Sequence, residues 1–218
     1  MDLSSVQPGL ILAVVVGLAL APFIAVMVTS FTKIIVVLSL LRSALGLQQT
    51  PPNVVLNGLA IILSFYVMHP VALKIVDTLP ATEAGQQPTD INRVIKLVDG
   101  AKEPIRDFLI AHTSVHERKL FLRTAQAALP KDRRDRVEER DFVIVIPAFT
   151  VSELTTAFKI GFLVFLPFLV IDMVVSNILM AMGMMMLSPT TISLPFKLLL
   201  FVLLDGWSKL VHGLVTTY

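Results

Sequence analysis

One stretch limits what this chain can become more than any other. From Lys159 to Lys197 the sequence runs KIGFLVFLPFLVIDMVVSNILMAMGMMMLSPTTISLPFK, and between those two lysines the only formal charge is Asp172. Six of the nine methionines fall between Met173 and Met186, ending in Met184, Met185 and Met186 after Gly183 and before Ser188-Pro189. An apolar helix therefore runs into a methionine-rich turn, and a second apolar segment leaves it. Methionine is unbranched and polarisable, so it fills irregular gaps and suits surfaces that must fit many shapes. The run reads either as gap-filling in a buried hairpin or as a compliant constriction in a conduit.

The surroundings of this stretch decide the class of protein. Apolar residues make up 55% of the 218 and charged residues only 16%, where soluble domains carry about 25% charged. With a mean hydropathy of +0.80, this is a membrane composition. The net charge of +2 is too small to point to nucleic acid. Cysteine is absent, which excludes a disulfide frame, a thiolate metal site and a thiol nucleophile. Of the 34 charged residues, 13 basic and 13 acidic lie between Lys74 and Glu153. The plan is apolar, polar, apolar: an N-terminal hairpin over 1–73, a charged helical middle over 74–149 placed outside the cytoplasm, and a C-terminal hairpin over 150–218.

No charge appears from Leu3 to Thr32, enough to span a bilayer, which needs about 20 apolar residues. Asp2 precedes this run and no basic residue does, so it reads as a retained segment rather than a cleaved signal peptide. Ala13, Gly17, Ala21 and Ala25 form a small-residue stripe of the kind that lets helix backbones approach in lipid, and Pro22 is expected to kink the helix. Lys33 sits inside apolar sequence, as an interface charge or as a lysine snorkelling to the head groups. Arg42 marks the end of that helix, and Pro51-Pro52 close the loop after it. A second apolar segment covers Asn53 to about Leu73, with His69-Pro70 near its end; a histidine so placed reads as a hydrogen-bonded residue, not a ligand.

In the polar middle, residues 82–88 read as a turn-rich linker. Short amphipathic helices are expected near 90–98, 104–112 and 115–128. Ser114 and Glu117 fit a capping box, with Leu120, Phe121 and Ala125 as the apolar face and Arg118, Lys119 and Arg123 solvated. The run 131–141 reads as a solvated loop. Phe142–Ile146 suggests an extended segment ended by Pro147. Thr150 and Glu153 fit another capping box, opening the long apolar helix. The last segment is weaker as a span, because Asp205, Lys209 and His212 interrupt it. Asp205 and Lys209 stand four apart, a spacing that favours a pair in a helix packed against other subunits.

The sequence lacks GxGxxG, GxxxxGK[ST], HExxH and GxSxG, and its four histidines are scattered, so a non-enzyme without cofactor or metal is expected. Asp172 is a possible proton relay or a partner for polar groups on neighbouring helices. Three readings follow: a pore subunit, a small proton- or ion-coupled transporter built round Asp172 and Lys33, or a structural membrane scaffold whose methionines only pack.

Four strings then resemble one family. They are TSFTKIIVVLSLLR from Thr29 to Arg42, PAFTVSELTTAFKIG from Pro147 to Gly161, PFLVID from Pro167 to Asp172 with Gly183–Met186, and LDGW from Leu204 to Trp207. Together they resemble the export-gate subunit of type III secretion and flagellar export, the FliP/YscR (SctR) family, over both apolar blocks and in order. The resemblance implies an all-α membrane protein without enzymatic activity. It implies several copies, thought to be five, assembling with two smaller membrane subunits and the larger export-gate subunit into a helical pore. That pore sits at the bacterial inner membrane, with much of it on the periplasmic side, and passes unfolded polypeptides. It further implies a gasket at Met184, Met185 and Met186. Flagellar members generally carry a cleaved signal peptide, so the N-terminal reading favours the virulence-associated injectisome branch. Lys33, Asp172, Asp205 and Lys209 are the expected interface or buried charges.

Overall fold

The computed structural model describes residues 8–77, 91–130, 134, 136–184 and 186–218. Among them helices are the only regular elements: α1 Pro8–Val28, α2 Phe31–Ala44, α3 Asn53–Asp77, α4 Ile91–Ala111, α5 Val115–Ala128, α6 Phe142–Ala181, α7 Pro189–Leu203 and α8 Gly206–Val215. The protein is an all-α chain with long apolar helices. α3 and α6 are long and apolar enough to cross a membrane. The bent pairs α1–α2 and α7–α8 meet the same test when each pair is taken together.

The sharp bend in the first apolar block comes at Thr29-Ser30, where α1 and α2 diverge by 73°. The helix continues past Pro22, the expected kink site. Hydroxyls occupy the backbone groups that the break releases. Thr29 donates to the Ala25 carbonyl (2.7 Å) and Thr32 to that of Val26 (2.8 Å), while the Phe31 amide reaches the Thr29 hydroxyl (3.4 Å). In an apolar medium an unsatisfied peptide group costs several kcal/mol, so a bend needs such residues.

α6 is the axis. Its 40 residues span ~60 Å and pass through both Pro147 and Pro167. This corrects three expectations. Phe142–Ile146 is helical, Pro147 does not end the segment, and Thr150 to Glu153 lie inside the helix and do not cap it. The helix starts after Asp141, whose carbonyl accepts from the Ile144 and Val145 amides (both 2.8 Å). Thr150 instead donates back to the Ile146 carbonyl (2.9 Å). The cause is burial: Ile144, Val145, Ala148, Phe149, Ser152 and Glu153 recur at helical spacing and form one covered stripe. Packing of that stripe outweighs the local preference of a β-branched run.

Three apolar clusters lie along this axis. Ile34, Val37 and Leu38 of α2 meet Leu56, Ala60 and Leu63 of α3, Ala157 of α6 and Leu214 of α8. Val67 and Val71 of α3 meet Phe108 and Leu109 of α4 and Val145 and Phe149 of α6. Leu41, Ala44 and Leu45 meet Phe168 and Phe201 near the far end. α2 lies close against α6 at Gly161, where an added Cβ would lie 2.2 Å from Leu40 Cδ1 and 3.1 Å from its Cβ.

The middle region also differs from expectation. α4 is one helix through Pro104 where two were expected, because Ile105, Phe108 and Leu109 pack it onto α3 and α6. Before α5, Ser114 accepts from the His116 amide (3.3 Å), but its own amide donates to Ser152 of α6 (3.0 Å), so Glu117 does not complete the box. Leu120 is exposed, whereas Phe121, Leu122 and Ala125 are half-buried, which turns the α5 face by part of a turn. Lys119 and Arg123 are solvated, while Arg118 is mostly covered and pairs with Glu139. The expected boundaries at 73/74 and 149/150 fall inside α3 and α6. The expected 82–88 linker lies outside the described residues.

Candidate functional site

The turn between α6 and α7 is built to a fixed shape. α6 ends at Ala181, and Gly183 follows with a φ of +70°, which an L side chain adopts only with strain. The Met184 amide reaches the Leu179 carbonyl (2.9 Å) and the Gly183 amide that of Met180 (3.0 Å). This paired closure satisfies the last carbonyls of α6 and ends the helix at a set angle. Ser188 and Pro189 begin α7, proline being suited to a first helical position. The backbone is thus held through Met184, and the described side chains beyond it are uncovered: Met184 is 42% and Met186 99% exposed. Met185 lies outside the described residues.

Some 15 Å back along α6, ten residues at 1.5 Å each, stands a charged brace. Asp172 accepts from Ser193 (2.5 Å) and Lys197 (2.6 Å), two residues one turn apart on α7. Lys197 is buried and also donates to the Ala44 carbonyl at the C-terminal end of α2 (3.2 Å). A cation at the last carbonyls of a helix is stabilised by the helix dipole as well as by the bond. One ammonium therefore fastens three helices, α2, α6 and α7. Asp172, half-buried, is the partner whose charge it neutralises.

A second brace lies in the first third of α6. Lys33 on α2 pairs with Glu153 on α6 at 3.3 Å, both side chains 3% exposed. Its ammonium also sits 3.5 Å from the centroid of the Tyr218 ring, a cation–π arrangement. Tyr218 donates its hydroxyl to Glu153 and lies 3.4 Å from the Ser30 carbonyl at the α1–α2 bend. Burial first, and then the charge and hydrogen bond of Glu153, hold this phenol well above its ordinary range, so it remains a donor. His112 lies against the same ring and stands 3.2 Å from the Tyr218 main-chain oxygen.

The remaining sequence-selected residues are spread over the surface. Asp205 takes a positive φ of 51° at the α7–α8 bend and is exposed, as is Lys209, which bonds back through its amide to the Asp205 carbonyl (3.1 Å). The chain on its own buries neither. Gly17, Ala21 and Ala25 are exposed along α1, and the side chain of Ala13 lies outside what is described. Arg42 reaches Asn53 Oδ1 (2.6 Å) and the Pro51 carbonyl (3.3 Å), tying the two ends of its loop. Among the described residues no three His, Asp or Glu side chains gather as a metal would require. Glu153, Lys197, Ser193 and Tyr218 escaped sequence reasoning. Lys197 carried a usable signal, as the nearest basic residue to Asp172 on the far side of an apolar turn.

The FliP family model matches residues 14–214, and these residues hold both braces but for Tyr218, together with the whole methionine turn. The chain belongs to the FliP family. Among its relatives, the Yop proteins translocation protein R of Yersinia pestis is 57% identical over 201 residues, 92% of each chain. The hypersensitivity response secretion protein HrcR of Ralstonia nicotianae is 47% identical over 216 residues, 99% of this chain and all of that one. The flagellar biosynthetic protein FliP of Pectobacterium carotovorum is 46% identical over 209 residues, 95% of this chain and 77% of its own. The match to the Ralstonia secretion protein, at 99% of this chain, takes in the polar middle, which the sequence motifs alone did not reach.

Proposed function

We propose that this FliP-family chain is a pore-forming subunit of a type III protein export apparatus in the bacterial inner membrane. Several copies, with two smaller membrane subunits and the larger export-gate subunit, surround a path for unfolded polypeptides, and the methionine turns close that path at rest. The observation that carries this reading is the α6–α7 turn: paired hydrogen bonds hold its first residues, and Met184 and Met186 are uncovered. Methionines serving only as packing within one chain would be covered. The translocation and secretion roles named for the relatives support the same reading.

The exposed apolar surface supports assembly. Phe65 (74%), Phe162 (63%) and Leu203 (71%) lie on three helices of the chain, and such large uncovered apolar area belongs against lipid or other subunits. The engagement of Asp172 by Lys197 and Ser193, and of Lys33 by Glu153, supports braces over a proton relay. In the membrane we place the loop 42–52 in the cytoplasm and the polar middle outside it, because Arg42 borders that short loop. Projection images of the purified complex test the proposal. Several copies around a central channel are expected, and a lone monomer or dimer without a channel would remove it.

A further inference from the structure

A groove of about 460 Å³ opens between α2, α6, α7 and α8. Its walls are apolar, with Phe168, Phe201, Leu210 and Leu214 among them, and Gly213, an exposed residue of the lining, has open space beside it, since an added Cβ there would meet nothing within 4 Å. The charged side chain on its lining is Lys209, exposed on α8. Among the described residues no carboxylate lies within ion-pairing distance of that lysine, not even Asp205 one turn before it. Trp207 stands beside the groove with its ring edge-on to Phe201 at 5.5 Å. Trp207 and Lys209 lie in the first turn of α8, just past the bend from α7, and tryptophan and lysine are residues that settle at the level of lipid head groups, ring and stem in the apolar layer and polar ends out.

We propose that this groove seats an acyl chain of an anionic phospholipid whose phosphate pairs with Lys209. The occupant must be elongated and apolar to fill the walls, and negative at one end to match an ammonium that no carboxylate pairs among the described residues. A helix of a neighbouring subunit satisfies the first requirement but not by itself the second. A membrane lipid satisfies both, and anionic head groups are drawn to such lysines.

Trp207 is the only tryptophan in the sequence, so it reports on the groove directly. The purified protein in non-ionic detergent is titrated with phosphatidylglycerol or phosphatidylcholine carrying brominated acyl chains, and Trp207 fluorescence is followed. Quenching by phosphatidylglycerol is expected at about fivefold lower mole fraction, the preference one lysine confers near a charged head group. Lys209→Gln should erase that preference, and Gly213→Phe should weaken quenching by both lipids. Equal quenching by the two lipids, or a preference that survives Lys209→Gln, would overturn the proposal. So would an absence of quenching by either, which would assign the groove to a protein neighbour. Quenching undiminished in a folded Gly213→Phe variant would place the lipid elsewhere. If that variant does not fold, the Lys209→Gln comparison still decides.

Discussion

Lys33 is buried in an apolar helix, with Glu153 and the Tyr218 ring standing where water would otherwise solvate its ammonium. Removing either partner leaves an uncompensated buried charge, which costs about 3–5 kcal/mol, whereas replacing both by apolar residues of similar volume is often neutral. Lys33→Ala and Glu153→Ala are therefore expected to lower the yield of monodisperse protein and its unfolding temperature sharply. Lys33→Met with Glu153→Leu should recover most of the loss. Single variants as stable as the unmodified protein would contradict the brace. Asp172→Ala is expected to act likewise on assembly, freeing Lys197 from its anion; a variant that assembles fully yet no longer transports would shift Asp172 to a chemical role. Lys33 and Asp172 stood out in the sequence because each is alone among apolar residues. Their partners did not, since Glu153 also fits a local capping pattern and Lys197 lies 25 positions from Asp172. Local spacing carries no information about which helices will meet.

The element that the sequence marked most clearly, the apolar stretch from Lys159 to Lys197, covers the later part of α6, the turn and the first part of α7. The start of α6 at Phe142 was hidden because proline and β-branched residues argue locally against a helix, and only the stripe buried on α3 and α4 reverses that preference. The contact of α6 with α2 depends on a missing side chain. Gly161→Ala would put a Cβ against the Cβ, Cγ and Cδ1 of Leu40, more than a rotamer change relieves, and should cost about 1–3 kcal/mol. Leu40→Ala in the same chain should offset part of it, as read by thermal unfolding in detergent. At the turn, Gly183→Ala meets no atoms, so its cost is the backbone strain alone, about 1–2 kcal/mol, and Gly183→Asn should cost less. Equal stability of the alanine variant would mean that the turn does not hold its left-handed residue.

For the whole molecule, the apolar–polar–apolar plan was legible in the charges, and the bends that divide its first and last blocks were not. Bends at Thr29-Ser30 and Leu204-Asp205 depend on a few hydroxyls and one positive φ, which composition averages away. The orientation in the membrane gives a direct check: a cysteine at exposed Gln49 should stay unmodified by an impermeant external thiol reagent in intact cells. Rapid labelling would invert the topology.

The central claim is that methionines close a path between subunits, and one triple variant tests it. Met184, Met185 and Met186 are replaced together by alanine, and complex yield and ion leak are measured on the same preparation. Met184 and Met186 are exposed in the chain, so their truncation removes bulk without opening a cavity in its core. The account predicts complexes at normal yield with a raised leak. Complexes lost at about 2–5 kcal/mol per truncated side chain, the cost of emptying a packed core, would assign the methionines to packing. Intact complexes with no added leak would contradict the account.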